Sequence, residues 1–349
     1  MSLAAASGPW GVYSPCDLAC LPAADATPRP SLPRRFARYA GLLALLVTGL
    51  LLVPAMPLAG RTGRGLLTRL WCRGLLATLG VRLSVTGDEP LVDGSMVVAN
   101  HVSWVDIPAL AAIAPYRILA KRDVASWPVI GTLAGIAGTL YIDRARLRTL
   151  PGTVAQLRDT MRAGRSVLVF PSGTTYCGRK PELFRPATFQ SAIDAAATVR
   201  PVAIRYRLAD GGPGTVAAYV GDDTLVASLR RVVSTRALTV EVRLLPPITT
   251  LGADRRTLAR RAQAAVAGVP RAPAAAERIP SASAAAERVP SASAAAEWVP
   301  SALAAAAPSV PAAPTAVARQ TPRTPSYPPR DSMSTPSPSS TRRKPNSYA

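Results

Sequence analysis

One histidine occurs in the 349 residues, His101, and it stands five positions ahead of Asp106 in "NHVSWVD", residues 100–106. An imidazole held by a carboxylate is a general base: the acid fixes its tautomer and stabilises the imidazolium formed when it accepts a proton. In a continuous α-helix, positions five apart are turned by about 140° and could not face each other. They meet if His101 lies in the turn leaving the apolar run "SMVVAN" and Asp106 lies in the first turn of a helix. Pro108 fits that arrangement, because proline is tolerated in a helix only near its start. Such a turn presents the imidazole at the carboxyl end of a strand, where open α/β sheets bind ligands. No G-x-S-x-G elbow occurs in the chain, so the protein offers no nucleophilic serine of that type. The pair suits the deprotonation of a second substrate's hydroxyl, which then attacks an activated acyl group. From these two residues alone, a packing or capping role for His101 stays open.

Three further stretches bear on the choice. "GTLYIDR", residues 138–144, ends in Arg144, a fixed cation suited to phosphate. "VLVFPSGTT", residues 167–175, is an apolar strand running into a turn whose Gly173, Thr174 and Thr175 offer amides and hydroxyls to an anion. "RPVAIRY", residues 200–206, is a strand entered through Pro201.

These pieces need a scaffold. Residues 1–35 read as a flexible leader. Residues 39–60 follow, 22 positions without a charge, long enough to cross a hydrocarbon layer of ~30 Å. Residues 36–80 are therefore expected to form a membrane anchor. Pro54 and Pro57 would break the helix, and the amphipathic "GLLTRLWCRGLLATLG" comes next, so a re-entrant helix-break-helix rivals a full span. Arginines flank both sides and leave the orientation undecided.

Residues 81–268 alternate short apolar runs with helical patterns. The strands expected are "VRLSVTG", "SMVVAN", "RILAK", "SVLVFP", "RPVAIRY", "TVAAYVG" and "LTVEVRLL". The helices expected are "TVAQLRDTMRAG", "ATFQSAIDAAAT", "LVASLRRVVS" and "ADRRTLARRAQAAVAG". The fold class is α/β: a mixed, mostly buried sheet flanked by helices. Residues 269–349 hold three ten-residue repeats, 274–303, and a Ser/Thr/Pro-rich basic end. With 15 of the 35 prolines falling in 270–349, this segment is expected to be a disordered tail.

The net charge is +21, carried by 38 arginines and three lysines. They are scattered, with no basic helix and no nucleic-acid motif, so nucleic acid is not an expected partner. Four cysteines, Cys16, Cys20, Cys72 and Cys177, show no C-x-x-C pair and read as ordinary thiols in a reducing compartment, with no metal site expected.

In order and spacing the blocks at 100–106, 138–144, 170–174 and 200–204 resemble the glycerophospholipid acyltransferase family, best known for 1-acyl-glycerol-3-phosphate acyltransferases. The family pattern is N-H-x4-D, then G-x-x-(aromatic)-I-D-R, then F-P-E-G-T, then V/I-P-V-A-I. "LAKRDVASWPVIGTLA" is similar to the family's linking segment. The resemblance covers roughly residues 80–210 and implies a glycerol-3-phosphate acyltransferase-like fold. It implies that His101, steadied by Asp106, activates the hydroxyl of a lysolipid such as 1-acyl-glycerol-3-phosphate, giving phosphatidic acid. It also implies that Arg144, Ser172, Gly173 and Thr174 hold the acceptor. The donor would be acyl-CoA or acyl carrier protein, with no cofactor or metal, and membrane lipids would be partners. A bacterial-type cell membrane, with the catalytic domain on the cytoplasmic side, is the implied location. The chain departs from the pattern at Ser172, where the family has Glu, and at Thr175 in place of the usual Arg. A different amphiphilic acceptor, such as an amino-acid lipid or a glycolipid, or a non-catalytic membrane scaffold, follows as the alternative.

Overall fold

The structure is a computed structural model that describes residues 14–23, 27–87, 92–143 and 146–269. The first long element is α1 (Leu32–Leu52), which Pro33 opens. A 3-10 stretch, Val53–Ala59, with Pro54 at its start, follows, and Gly60 turns the chain into α2 (Gly60–Leu79). The remaining elements are β1 (Val81–Thr86), β2 (Met96–Ala99), α3 (Asp106–Ala111), β3 (Arg117–Lys121), α4 (Ile130–Ile136), β4 (Leu140–Ile142), α5 (Leu150–Arg162), β5 (Val167–Val169), α6 (Phe189–Ala195), β6 (Val199–Arg207), α7 (Leu225–Val233), β7 (Leu238–Leu244) and α8 (Arg255–Ala267).

Seven strands form one sheet in the order β1-β7-β6-β2-β5-β3-β4. Every pairing is parallel except β6 with β7. The sheet is therefore mixed and mostly parallel, with strands and helices alternating along the chain. β2, at its centre, is buried throughout. Its side chains alternate between two cores. Val97 and Ala99 face α2, α3 and α7 through Leu75, Leu76, Leu79, Ala109, Leu110, Val232 and Val233. Met96 and Val98 face α5, α6 and α8 through Leu157, Met161, Phe189, Ala192, Leu258 and Ala262. Two-sided burial explains why these strands read as unbroken apolar runs instead of alternating ones.

Two segments differ from expectation. Residues 215–221 were expected as a strand, but form a 3-10 turn, Thr215–Ala217, and an extended crossing. Their carbonyls do not need a sheet partner, because Arg231 donates to Val216 O and Ala218 O, both at 2.8 Å. The segment crosses at the end of β2 instead, with Tyr219 N donating to Val102 O at 2.9 Å. Conversely, part of "GTLYIDR" is the edge strand β4, paired with β3.

α1 begins at Leu32, ahead of the expected anchor, and is long and apolar enough to cross a membrane. Only 6% of its most apolar window is buried. Leu43, Val47, Leu50 and Leu51 are exposed, which excludes a helix packed inside a soluble core. One side of it is tied to the rest of the fold: Arg38 donates to Val233 O and Thr235 O, and Trp71 of α2 donates to Leu45 O. The leader is also more engaged than expected, since Cys16 is buried. The repeats and the rest of 270–349 lie outside the described residues.

Candidate active site

β2 ends at Ala99, and Asn100 closes it onto β6. Its amide donates to Ile204 O at 2.9 Å and accepts from Ile204 N at 2.7 Å, so the side chain continues the ladder by one step. The chain then turns through residues 101–105 into α3, whose first residue is Asp106 and whose third is Pro108. The carboxylate is fully buried, and four donors meet it. Oδ2 accepts from His101 Nδ1 at 2.9 Å, Val102 N at 2.7 Å and Ser103 N at 2.9 Å. Oδ1 accepts from the Tyr206 hydroxyl at 2.6 Å. A carboxylate only accepts, so Nδ1 carries its hydrogen and Nε2 is the lone-pair nitrogen. The His101 side chain is 17% exposed, and its ring stacks on Phe170 with centroids 3.9 Å apart and planes 17° from parallel. Oriented on one edge and backed on one face, the imidazole has a basic Nε2 available to an entering hydroxyl.

The turn after β5 is wired to the same histidine. Tyr176 N donates to His101 O at 2.8 Å, and the Thr175 hydroxyl donates to Tyr219 O. Gly173 has φ of +75°, a conformation that glycine adopts without strain, and its N–H closes the turn on Phe170 O at 3.0 Å. Ser172 is buried, and its hydroxyl donates to Thr174 O at 2.9 Å. The Gly173 amide and the Ser172 and Thr175 hydroxyls are thus already engaged within the fold. That narrows the anion cradle expected here to the half-buried Thr174. Arg144 lies outside the described residues; β4, the strand before it, ends at Ile142. β4 runs parallel to β2, three strands away, or about 14 Å at the usual strand spacing.

Glu182 joins the site unannounced by any motif. Its carboxyl accepts from His101 N at 3.0 and 3.2 Å and is hydrogen-bonded to Ser172. Burial pushes its pKa up to about 8, against the pull of the His101 amide and the Ser172 hydroxyl. Burial also raises the Tyr206 phenol well above its usual range, aided by the adjacent Asp106 charge. Asn100, Phe170, Glu182 and Tyr206 were all missed as site residues. Asn100 and Phe170 stood inside recognised blocks and Tyr206 at the end of the strand "RPVAIRY", whereas Glu182 lay in no recognised stretch.

A buried sheet with an oriented His–Asp pair at the carboxyl end of its central strand is an arrangement suited to deprotonating a substrate's own hydroxyl. The acyltransferase family model matches residues 82–205. The lyso-ornithine lipid O-acyltransferase of Pseudomonas aeruginosa is 41% identical over 240 residues, 66% of this chain and 90% of that protein. The 1-acyl-sn-glycerol-3-phosphate acyltransferase of Neisseria meningitidis is 39% identical over 171 residues, 49% of this chain and 67% of that protein. The crystal structure of the 1-acyl-sn-glycerophosphate acyltransferase PlsC of Thermotoga maritima superposes with a TM-score of 0.52 at 19% identity, covering 67% of this chain and 92% of that one. That likeness is one of fold. The chain belongs to the acyltransferase family, and its relatives are acyltransferases of lysolipids.

Proposed function

We propose that this protein is a membrane-associated O-acyltransferase that esterifies the free hydroxyl of a lysolipid. The observation that carries the reading is the His101–Asp106 pair, with Nδ1 tied to a carboxylate that three other donors hold in place. In the reaction, Nε2 of His101 takes the proton of the acceptor hydroxyl as its oxygen attacks the thioester carbonyl of acyl-CoA or acyl carrier protein. The new C–O ester bond forms and the C–S bond breaks. The imidazolium then returns the proton to the departing thiolate, leaving an acylated lipid and a free thiol. Asp106 offsets the charge on the ring during the transfer, and Tyr206 positions Asp106. Arg144 and Thr174, the latter presented by the turn that Ser172 and Gly173 close, are the groups we assign to the acceptor's anionic headgroup.

Two acceptors come into view. The longer and more complete likeness, to a lyso-ornithine lipid O-acyltransferase, favours an amino-acid lysolipid. The likeness to 1-acyl-sn-glycerol-3-phosphate acyltransferases favours formation of phosphatidic acid. The uncharged Ser172 fits the first better, because the 172–174 turn then differs from the acidic pattern associated with the phosphate acceptor. The exposed apolar face of α1 supports attachment to the cell membrane, where acceptor and product both reside, with the catalytic domain on the cytoplasmic side that supplies the thioester. The test is to offer the purified protein both lysolipids with acyl-CoA and identify the products by mass spectrometry. Acylated ornithine lipid formed by the wild type and not by His101→Ala supports the reading. Thiol release unchanged in His101→Ala sinks it.

A further inference from the structure

Three of the four cysteines, far apart in sequence, converge in space. The Sγ atoms of Cys16, Cys20 and Cys177 all lie within 4.8 Å of one another. Cys16 and Cys177 are buried and Cys20 is half-buried, and all three are free thiols. Cys72 stands apart from them, in α2. The grouping is built by both segments that meet there. Asp17 opens a one-turn 3-10 helix, Leu18–Cys20, by accepting from Ala19 N, which brings Cys16 and Cys20 to one side. On the other segment, the backbone N–H groups of Arg179 and Lys180 hydrogen-bond to Cys177 Sγ. Two amides on one sulfur form a turn that favours a thiolate. The segments are also joined directly, Cys177 N to Cys16 Sγ at 3.3 Å and Lys180 Nζ to Pro15 O at 2.6 Å.

We propose that Cys16, Cys20 and Cys177 bind one Zn2+ ion through three sulfurs, with a water molecule in the fourth position. The geometry is close to what the ion needs. Zn–S bonds of about 2.3 Å at tetrahedral angles put neighbouring sulfurs about 3.8 Å apart, so closure takes less than about 1 Å of movement. A C-x3-C spacing falls inside the usual separation of paired ligands. A disulfide would use two of the sulfurs and leave the third beside it unused. Oxygen-seeking cations such as Mg2+ and Ca2+ are disfavoured by an all-sulfur donor set. Residues 1–13 contain no Cys, His, Asp or Glu, so the segment just before Cys16 brings no further strong ligand. Each thiol still protonated when the ion arrives releases its proton to solvent.

The ion fastens the leader to the loop that follows the active-site turn. Cys177 comes directly after Tyr176, whose N–H holds the His101 carbonyl. Cys16 shares its apolar cluster with Val102, Phe170 and Tyr176. Glu182 lies five residues further along the same loop. The proposal concerns the stability and order of this loop and does not depend on the acyl acceptor.

The experiment is metal analysis of the full-length protein purified without chelator. One equivalent of zinc per chain is expected, falling below a tenth of an equivalent in Cys20→Ser and in Cys177→Ser and unchanged in Cys72→Ser. Because Cys177→Ser alters a buried position, a second measurement uses the wild type alone. Stripped protein titrated with Co2+ should develop thiolate-to-cobalt charge-transfer absorption in the near ultraviolet at one equivalent, and added Zn2+ should abolish it. Less than a tenth of an equivalent of zinc in the wild type, together with no cobalt band after full reduction, overturns the site. Zinc that persists unchanged in both serine variants also overturns it.

Discussion

Replacing Asp106 by Asn separates the charge of the pair from its geometry. Two backbone donors, Val102 N and Ser103 N, already point at Oδ2. An Asn side chain must therefore put its oxygen at that position, because an amide NH2 would face two N–H groups. The same oxygen still accepts from His101 Nδ1, so the tautomer that leaves Nε2 basic survives. On the other side, the amide NH2 meets the Tyr206 oxygen, which can accept once its own hydrogen rotates away. The fold should lose no more than about 1–2 kcal/mol, the range for one rearranged buried hydrogen bond. What disappears is the negative charge opposite the imidazolium. For unit charges about 4 Å apart at an effective dielectric near 20, that interaction is about 4 kcal/mol, which corresponds to about 10³ in rate.

The assay is thiol release from acyl-CoA in the presence of the preferred lysolipid in detergent micelles, with the lipid product confirmed by mass spectrometry. kcat should fall about 10³-fold in Asp106→Asn at nearly constant KM, since the lost interaction strengthens only as the proton moves. His101→Ala should be at least as slow. The double variant should be no slower than His101→Ala alone, because two groups acting as a unit are not additive. A fall of less than tenfold in Asp106→Asn, with the melting temperature preserved, would show that the carboxylate charge does not serve the imidazole. Additive losses in the double variant would show that the two residues act separately.

Other outcomes follow from the same contacts. Tyr206→Phe removes the donor to Asp106 Oδ1; it should lower stability by about 1–3 kcal/mol and kcat by about tenfold, and an unchanged kcat would show that Tyr206 does not help to position Asp106. Glu182 has a folded pKa of about 8 against the usual carboxyl value when unfolded. Its contribution is therefore full below pH ~4.5 and is lost as pH rises through 8, at no more than ~1.4 kcal/mol per pH unit. Urea melts between pH 5.5 and 8.5 should show this slope in the wild type and a flatter one in Glu182→Gln; equal slopes would remove Glu182 as the cause. Leu43→Lys combined with Leu51→Lys places two charges on the exposed face of α1 and should abolish co-flotation with lipid vesicles, while continued flotation would move the membrane contact elsewhere.

How much of this was legible along the chain depended on the distance between partners. The His–Asp pair could be read because its geometry is local. An apolar run, a short turn and a proline near a helix start suffice to bring positions 101 and 106 together. The two-sided burial of the sheet was readable for a similar reason, since strands such as "MVVA" alternate between two apolar layers and so show no polar face. Tyr206 is 100 residues from Asp106 and meets it only because β6 lies beside β2. Strand order is a global outcome that no window of sequence contains. The strand expected at 215–221 failed because Arg231, on the helix that follows, satisfies carbonyls of the segment in place of a neighbouring strand. The proximity of the cysteines was hidden by the same logic, because Cys16 and Cys177 are 161 positions apart and only the path of the leader joins them.

Ser172 shows what that distinction changes. Along the chain, a serine where the acyltransferase pattern has an acid reads as the loss of a carboxylate, and that loss was the ground for considering a non-catalytic scaffold. In space a carboxylate is present. Glu182, ten positions on, is hydrogen-bonded to Ser172 and takes the His101 backbone N–H. An acid supplied from the loop instead of the turn sits beside the base without lying on the short strand-to-helix path that fixes His101. Burial raises its pKa to about 8, against the pull of the His101 amide and the Ser172 hydroxyl. The serine at 172 therefore comes with a carboxyl beside it, and the hydrogen bonds that hold Asp106 against His101 do not involve position 172.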